Sequence, residues 1–280
     1  MAWFSTKIVD LFTALSNFYY SKKYGTLLKQ AGLREEAGTG RRGFIIVQID
    51  GLSYEHLLEA IALGYTPHMK QMMERGNVKL ARWRCGLPST TPAVQAGIMF
   101  GNNFDIPAFR WYKKETHTHV TCNKLGQATV MQNRISSRRT GILEGGSSYT
   151  NIMDGGARLS LFTLSSLSSQ HLFENVRGLG FFLLFLLNPL RVARVLFLSL
   201  WKYLLHIFKR LLTPNYHRPP SIFLQIINDV LLREIQTFAC LLDIYRGMPA
   251  IYINYNGYDE VAHYCRPSST EALKALRIID

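Results

Sequence analysis

Four side chains carry types and spacings that suit phosphoryl chemistry on a divalent metal. Asp50 follows the apolar run Phe44-Ile45-Ile46-Val47-Gln48-Ile49 and stands before Gly51. A carboxylate at the end of a buried strand is a hard oxygen ligand, although a lone Asp there also reads as a turn or cap residue. Thr90 and Thr91 sit in the turn Leu87-Pro88-Ser89-Thr90-Thr91-Pro92, ahead of the small-residue stretch Ala93–Met99. A hydroxyl at a helix N-terminus meets free backbone N–H groups and the positive end of the dipole, which favour a bound phosphate. In isolation it also reads as an ordinary N-cap. Asp259 and His263 are four residues apart in Asp259-Glu260-Val261-Ala262-His263. That spacing puts both on one side of a helical turn, where carboxylate oxygen and imidazole nitrogen can share one zinc ion or simply pair at the surface.

The elements that position them follow from local signals. The runs 44–49 and 250–255 are nearly continuous β-branched or aromatic stretches, the pattern of strands buried on both faces of a parallel sheet. Each ends at or just before an acidic residue, at the carboxyl edge where α/β proteins place their sites. Residues 53–62 read as a helix capped by Ser53, and Thr66-Pro67 opens a second helix closed at Arg75-Gly76. Val78–Trp83 reads as a strand, and residues 116–131 as one or two short strands with turns. Gly145-Gly146 and Gly155-Gly156 bracket a segment read as a loop. Residues 221–246 form a long helical stretch ended by Gly247, and Ser268/Ser269 cap a last helix reaching Asp280.

Composition sets the wider frame. The chain has 280 residues, 48% of them hydrophobic and only 18% charged, with 32 Lys+Arg against 19 Asp+Glu and a net charge of +13. That size supports one sizeable α/β core, and the basic excess suits anionic partners. Cys85, Cys122, Cys240 and Cys265 form no Cys-x-x-Cys pair, so they read as reduced structural thiols and not as a zinc site. Residues 1–42 read as an amphipathic helix over 2–24 plus a glycine-rich linker, with no convincing signal peptide. The helix would pack on the domain or seek a membrane or partner.

A helical apolar and basic insertion is expected at about 174–220. After Asn188-Pro189, residues 190–212 place Arg191, Arg194, Lys202, His206, Lys209 and Arg210 on one arc, opposite Leu196, Leu200, Leu204, Ile207, Phe208 and Leu211. Three placements fit: an interfacial helix on an anionic membrane, a spanning element, or a helix pair buried in the protein. Because the basic residues cluster on an apolar helix, a nucleic-acid scaffold role is not expected.

Taken in order, these pieces resemble the nucleotide pyrophosphatase/phosphodiesterase branch of the alkaline phosphatase superfamily. The resemblance covers about 43–113 and 250–280: Ile49-Asp50-Gly51, Thr66-Pro67-His68, Glu74-Arg75-Gly76, Leu87-Pro88-Ser89-Thr90-Thr91-Pro92, Gly97-Ile98-Met99-Phe100-Gly101, then Asp259 with His263 and Pro267. It implies an alkaline-phosphatase-like, mostly parallel sheet flanked by helices. It also implies two divalent ions, zinc or manganese, acting on a phosphate ester or phosphodiester. Thr91, three after Pro88, would be the nucleophile and a metal ligand. Asp50 would bind the second metal, and Asp259 and His263 the first. Arg110 lies near the family's phosphate-contacting Asn, and this chain has no Asn at that spot. The family completes its metal pair with an Asp-His-Gly motif and a further His. Neither is found in the family's order here, so the chain reads as C-terminally truncated, its second metal site incomplete. A membrane-associated phosphohydrolase and a non-catalytic membrane- or partner-binding remnant are the two readings that follow.

Overall fold

The computed structural model describes residues 42–136, 140–167, 185–186, 188–212 and 221–280. The readings of residues 2–24 as a helix and of 180–184 as part of an apolar run lie outside them.

The described chain is an α/β structure built on a four-stranded parallel sheet. Strand β1 is Phe44–Ile49, β4 is Ser147–Tyr149, β5 is Leu159–Leu161 and β6 is Ala250–Tyr255. Their order is β1-β6-β4-β5, and every adjacent pair is parallel. A separate antiparallel hairpin joins β2 (Arg110–Lys113) to β3 (Thr118–Thr121). β6 is central and its first five residues are buried, as the apolar run requires. β1 departs from that expectation. It pairs with β6 alone among the described strands, and Ile45 and Val47 remain 46% and 58% exposed.

Two other expectations fail. Val78–Trp83 forms no strand; Val78 and Trp83 are exposed, and Arg82 instead pairs with Glu55 and lies over the Tyr54 ring. No described strand offers that segment a ladder, and alternating residues without a partner do not make one. The segment between the two glycine pairs is not all loop. Ser147–Tyr149 is a fully buried strand wedged between β6 and β5. Gly146 makes this approach possible, since a Cβ there would stand 2.1 Å from the Ala250 carbonyl oxygen. The region 116–131 holds one strand and then a helix, α4 (Gln127–Ser136).

The helices follow their caps. In α1 (Tyr54–Ala62) the Ser53 hydroxyl accepts from the His56 N–H. In α10 (Thr270–Ile279) the Ser269 hydroxyl accepts from Ala272. α2 (Pro67–Glu74) has Pro at its first position, but Thr66 makes no side-chain cap. Its free N–H groups are taken by Asp280, whose carboxylate accepts from His68 N and Met69 N at 2.8 and 2.9 Å. α3 is Thr91–Phe100, α5 is Leu164–Leu167, and α9 is Gly257–Cys265. The long stretch 221–246 is helical in three phases: α7 (Ile222–Ile226), a π segment (Ile227–Leu232) and α8 (Arg233–Tyr245).

α6 (Pro189–Leu212) is the expected second helix of the apolar/basic region. Its Val195 is buried with Tyr149, Val230, Phe238 and Ile253, so the helix packs on the sheet through α8 and the π segment. The basic residues of its first four turns face inward. Arg191 and Arg194 pair with Glu234, and Lys202 with Asp229. Cys85 and Cys122 are free thiols, and burial pushes the Cys122 thiol up to about 11.

Candidate phosphoryl-transfer site

β1 and β6 run in parallel register, Ile49 opposite Tyr255, and the ladder continues one step as Asp50 N donates to the Tyr255 carbonyl at 3.0 Å. Both strands therefore end at the same sheet edge. β1 delivers Asp50, and β6 turns at Asn256 into α9, which carries Asp259 and His263. Gly51 has φ +69, a conformation that side chains avoid. A Cβ there would lie 2.4 Å from Asp259 Oδ1, so the missing side chain lets the Asp259 carboxylate close on the β1 turn.

Thr91 is the first residue of α3, half-buried. Its hydroxyl donates to both oxygens of Asp50, at 3.1 and 3.2 Å, across 41 positions of sequence. Thr90 differs. It makes no side-chain cap, and its buried hydroxyl has no hydrogen-bond partner among the described residues. Of the two hydroxyls, only that of Thr91 faces the carboxylate. On α9, His263 Nε2 lies 3.2 Å from Asp259 Oδ2, with the imidazole well exposed and Asp259 half-buried. The four residues thus form two contacting pairs, Asp50–Thr91 and Asp259–His263, joined where Asp259 meets Gly51.

Burial and the neighbouring Asp259 charge raise the Asp50 carboxyl above its ordinary value, against the hydrogen bonds from Thr91, Gln48 and the Gly51 backbone. Two facing carboxylates of this kind are the donor chemistry a divalent cation relieves. Among the described residues, however, no three His, Cys, Asp or Glu side chains converge closely enough to hold a metal ion. The donor types fit zinc or manganese; the present convergence is pairwise.

A polar network behind Asp50 escaped the sequence reading. Gln48 Nε2 donates to Asp50 Oδ1 at 3.0 Å, and Gln48 Oε1 accepts from the Tyr252 hydroxyl at 2.6 Å. The fully buried Gln95 donates to Asn151 Oδ1 at 2.9 Å and accepts from Ile152 N at 2.8 Å. Asn151 in turn donates to the Tyr252 carbonyl and the Ser148 hydroxyl. Burial pushes the Tyr252 hydroxyl up, which keeps it a donor. One signal was available: Gln48 is the single polar residue in the β1 run, two before Asp50 and hence on the same strand face.

Arg110 opens the β2–β3 hairpin, exposed, 6.0 Å from the Phe109 ring centre; among the described residues no hydrogen bond or ion pair joins it to Asp50 or Thr91. No family model matches the chain, and searches of characterised proteins and of solved structures return no match.

Proposed function

We propose that the chain is a metal-dependent phosphohydrolase of alkaline-phosphatase-like design, with Thr91 as its nucleophile and a phosphate ester or phosphodiester as substrate. The observation that carries this reading is the Thr91 hydroxyl held on both oxygens of Asp50, with Asp259 packed against the same turn. A hydroxyl at a helix N-terminus beside a carboxylate that can take its proton is the kind of group that serves as a nucleophile toward phosphorus. Thr91 Oγ would form the new bond to phosphorus as the bond to the leaving oxygen breaks, and that oxygen takes up a proton from water. The hydroxyl proton passes toward the Asp50 carboxylate that already accepts it. Water would then cleave the phosphothreonine, releasing phosphate or a phosphomonoester and restoring Thr91.

Asp50 with Thr91 would hold one divalent ion and Asp259 with His263 another. When bound, such ions supply the positive charge that stabilises attacking and leaving oxygens. Gln48 would hold the Asp50 carboxylate in orientation through its link to Tyr252. Hydrolysis of a chromogenic phosphodiester with added zinc or manganese tests the reading. Activity should require the metal and fall at least about a hundredfold in Thr91→Ala, the loss of a covalent nucleophile. Equal activity in both proteins would remove Thr91 from the mechanism.

A further inference from the structure

α6 has its two faces turned opposite to those of a helix covering an ordinary soluble core. Its 24 residues form a rod about 36 Å long at 1.5 Å per residue. The basic residues of its first four turns are paired inside the protein. Arg191 and Arg194 meet Glu234 at 3.6 and 3.5 Å, and Lys202 meets Asp229 on the π segment. The outer side is a stripe of Leu196, Leu200, Leu204, Phe208 and Leu211 at three- and four-residue intervals, between 45% and 77% exposed. Phe223 of α7, 67% exposed, sets its ring 6.3 Å from that of Tyr203 and broadens the stripe. The resulting apolar surface runs from Leu196 to Leu211, about 22 Å at 1.5 Å per residue, and contiguous exposed apolar surface of this kind marks an interaction site.

We propose that this stripe docks on an anionic lipid surface. α6 lies in the interfacial plane, with its leucines in the acyl boundary, Arg191, Arg194 and Lys202 seated on the protein, and Arg210 free to meet the headgroups. Charge selects this occupant over a second copy of the chain. From Pro189 to Asn228 the sequence has no Asp or Glu, while Lys209 and Arg210 close the helix and Arg210 is exposed. Two chains of net charge +13 meeting on this face bring like charge together, whereas an anionic surface attracts it. Among the described residues no helix is long and apolar enough to cross a membrane, which suits a helix lying on the surface. The proposal does not depend on the phosphohydrolase reading, and its test reads no activity.

The test is flotation of the full chain with phosphatidylcholine/phosphatidylglycerol vesicles. The wild type and Leu125→Glu, a 60% exposed control far from α6 in sequence, are expected to float with the vesicles. The double variant Leu200→Glu/Leu204→Glu is expected to lose at least tenfold in partition while melting like the wild type, because both leucines are exposed. The proposal is overturned if the wild type stays in the aqueous fraction, if the double variant floats equally, or if the control loses as much. A wild-type dimer that the double variant converts to monomer, with neither protein floating, overturns it in favour of self-association.

Discussion

Glu234→Gln is the sharpest probe of how α6 is held. The Glu234 side chain is 5% exposed and lies between three guanidiniums: Arg191 at 3.6 Å, Arg194 at 3.5 Å and Arg233 at 3.3 Å. Burial pulls the Arg233 guanidinium down from its ordinary value, and Glu234 is the largest influence holding it up. Glutamine keeps the shape and removes the charge. Three cations would then be left in a site closed to water. Removing one partner of a buried ion pair costs about 3–5 kcal/mol, because the remaining charge keeps its desolvation cost. For a chain of this size that lowers Tm by roughly 10 °C. Urea unfolding followed by circular dichroism gives the value directly as a shift in midpoint at constant slope. Arg191→Met should cost less, since Glu234 keeps two partners, and adding it to Glu234→Gln should recover part of the loss. A loss below about 0.5 kcal/mol in Glu234→Gln would refute the inward-facing basic side and place the cluster in solvent.

Three further outcomes are expected. Gly146→Ala puts a Cβ 2.1 Å from the Ala250 carbonyl oxygen and should cost about 3 kcal/mol or more, read as a fall in Tm. Gly51→Ala drives a Cβ into Asp259 at a positive φ, so on the proposed two-metal reading zinc affinity by titration calorimetry should fall at least about tenfold, because the proposed ligand Asp259 is displaced from Asp50. Burial raises the Glu260 carboxyl to about 7. A raised carboxyl stabilises the fold fully below its unfolded value and loses that contribution as pH rises through the folded one. Glu260→Gln, which keeps the acceptor for Asn228, should therefore melt higher than wild type at pH 8 and no higher at pH 4.

The legible parts of this fold are those with local causes. Ser53 and Ser269 cap the helices they precede, Pro67 opens α2, and the β-branched runs become β1 and β6. β4 was illegible because Ser147-Ser148-Tyr149 has neither length nor hydrophobicity; it is a strand because β6 and β5 pair with it on either side. Val78–Trp83 has alternation without a partner strand. The two faces of α6 could be read from periodicity, but not which face turns inward. That depends on Glu234 and Asp229, more than 20 residues further along the chain. Asp50, Thr91, Asp259 and His263 are candidates by type and order, and the fold sets them as two contacting pairs at one sheet edge. Gln48, Tyr252, Gln95 and Asn151 were not identified, because a buried polar network exists only through tertiary contacts. Arg110 is a candidate because it lies near the position of the family's phosphate-contacting Asn, and it stands at the start of the β2–β3 hairpin.

The central claim is that Thr91 is a phosphoryl acceptor set by Asp50. The protein, loaded with zinc or manganese, is mixed with a phosphodiester, quenched in acid within the first turnovers and analysed by peptide mass spectrometry. The account expects one phosphate on Thr91, absent when metal is withheld and absent in Asp50→Asn. Turnover with no phosphate on Thr91, or with phosphate on Thr90 or Ser89 instead, would contradict it.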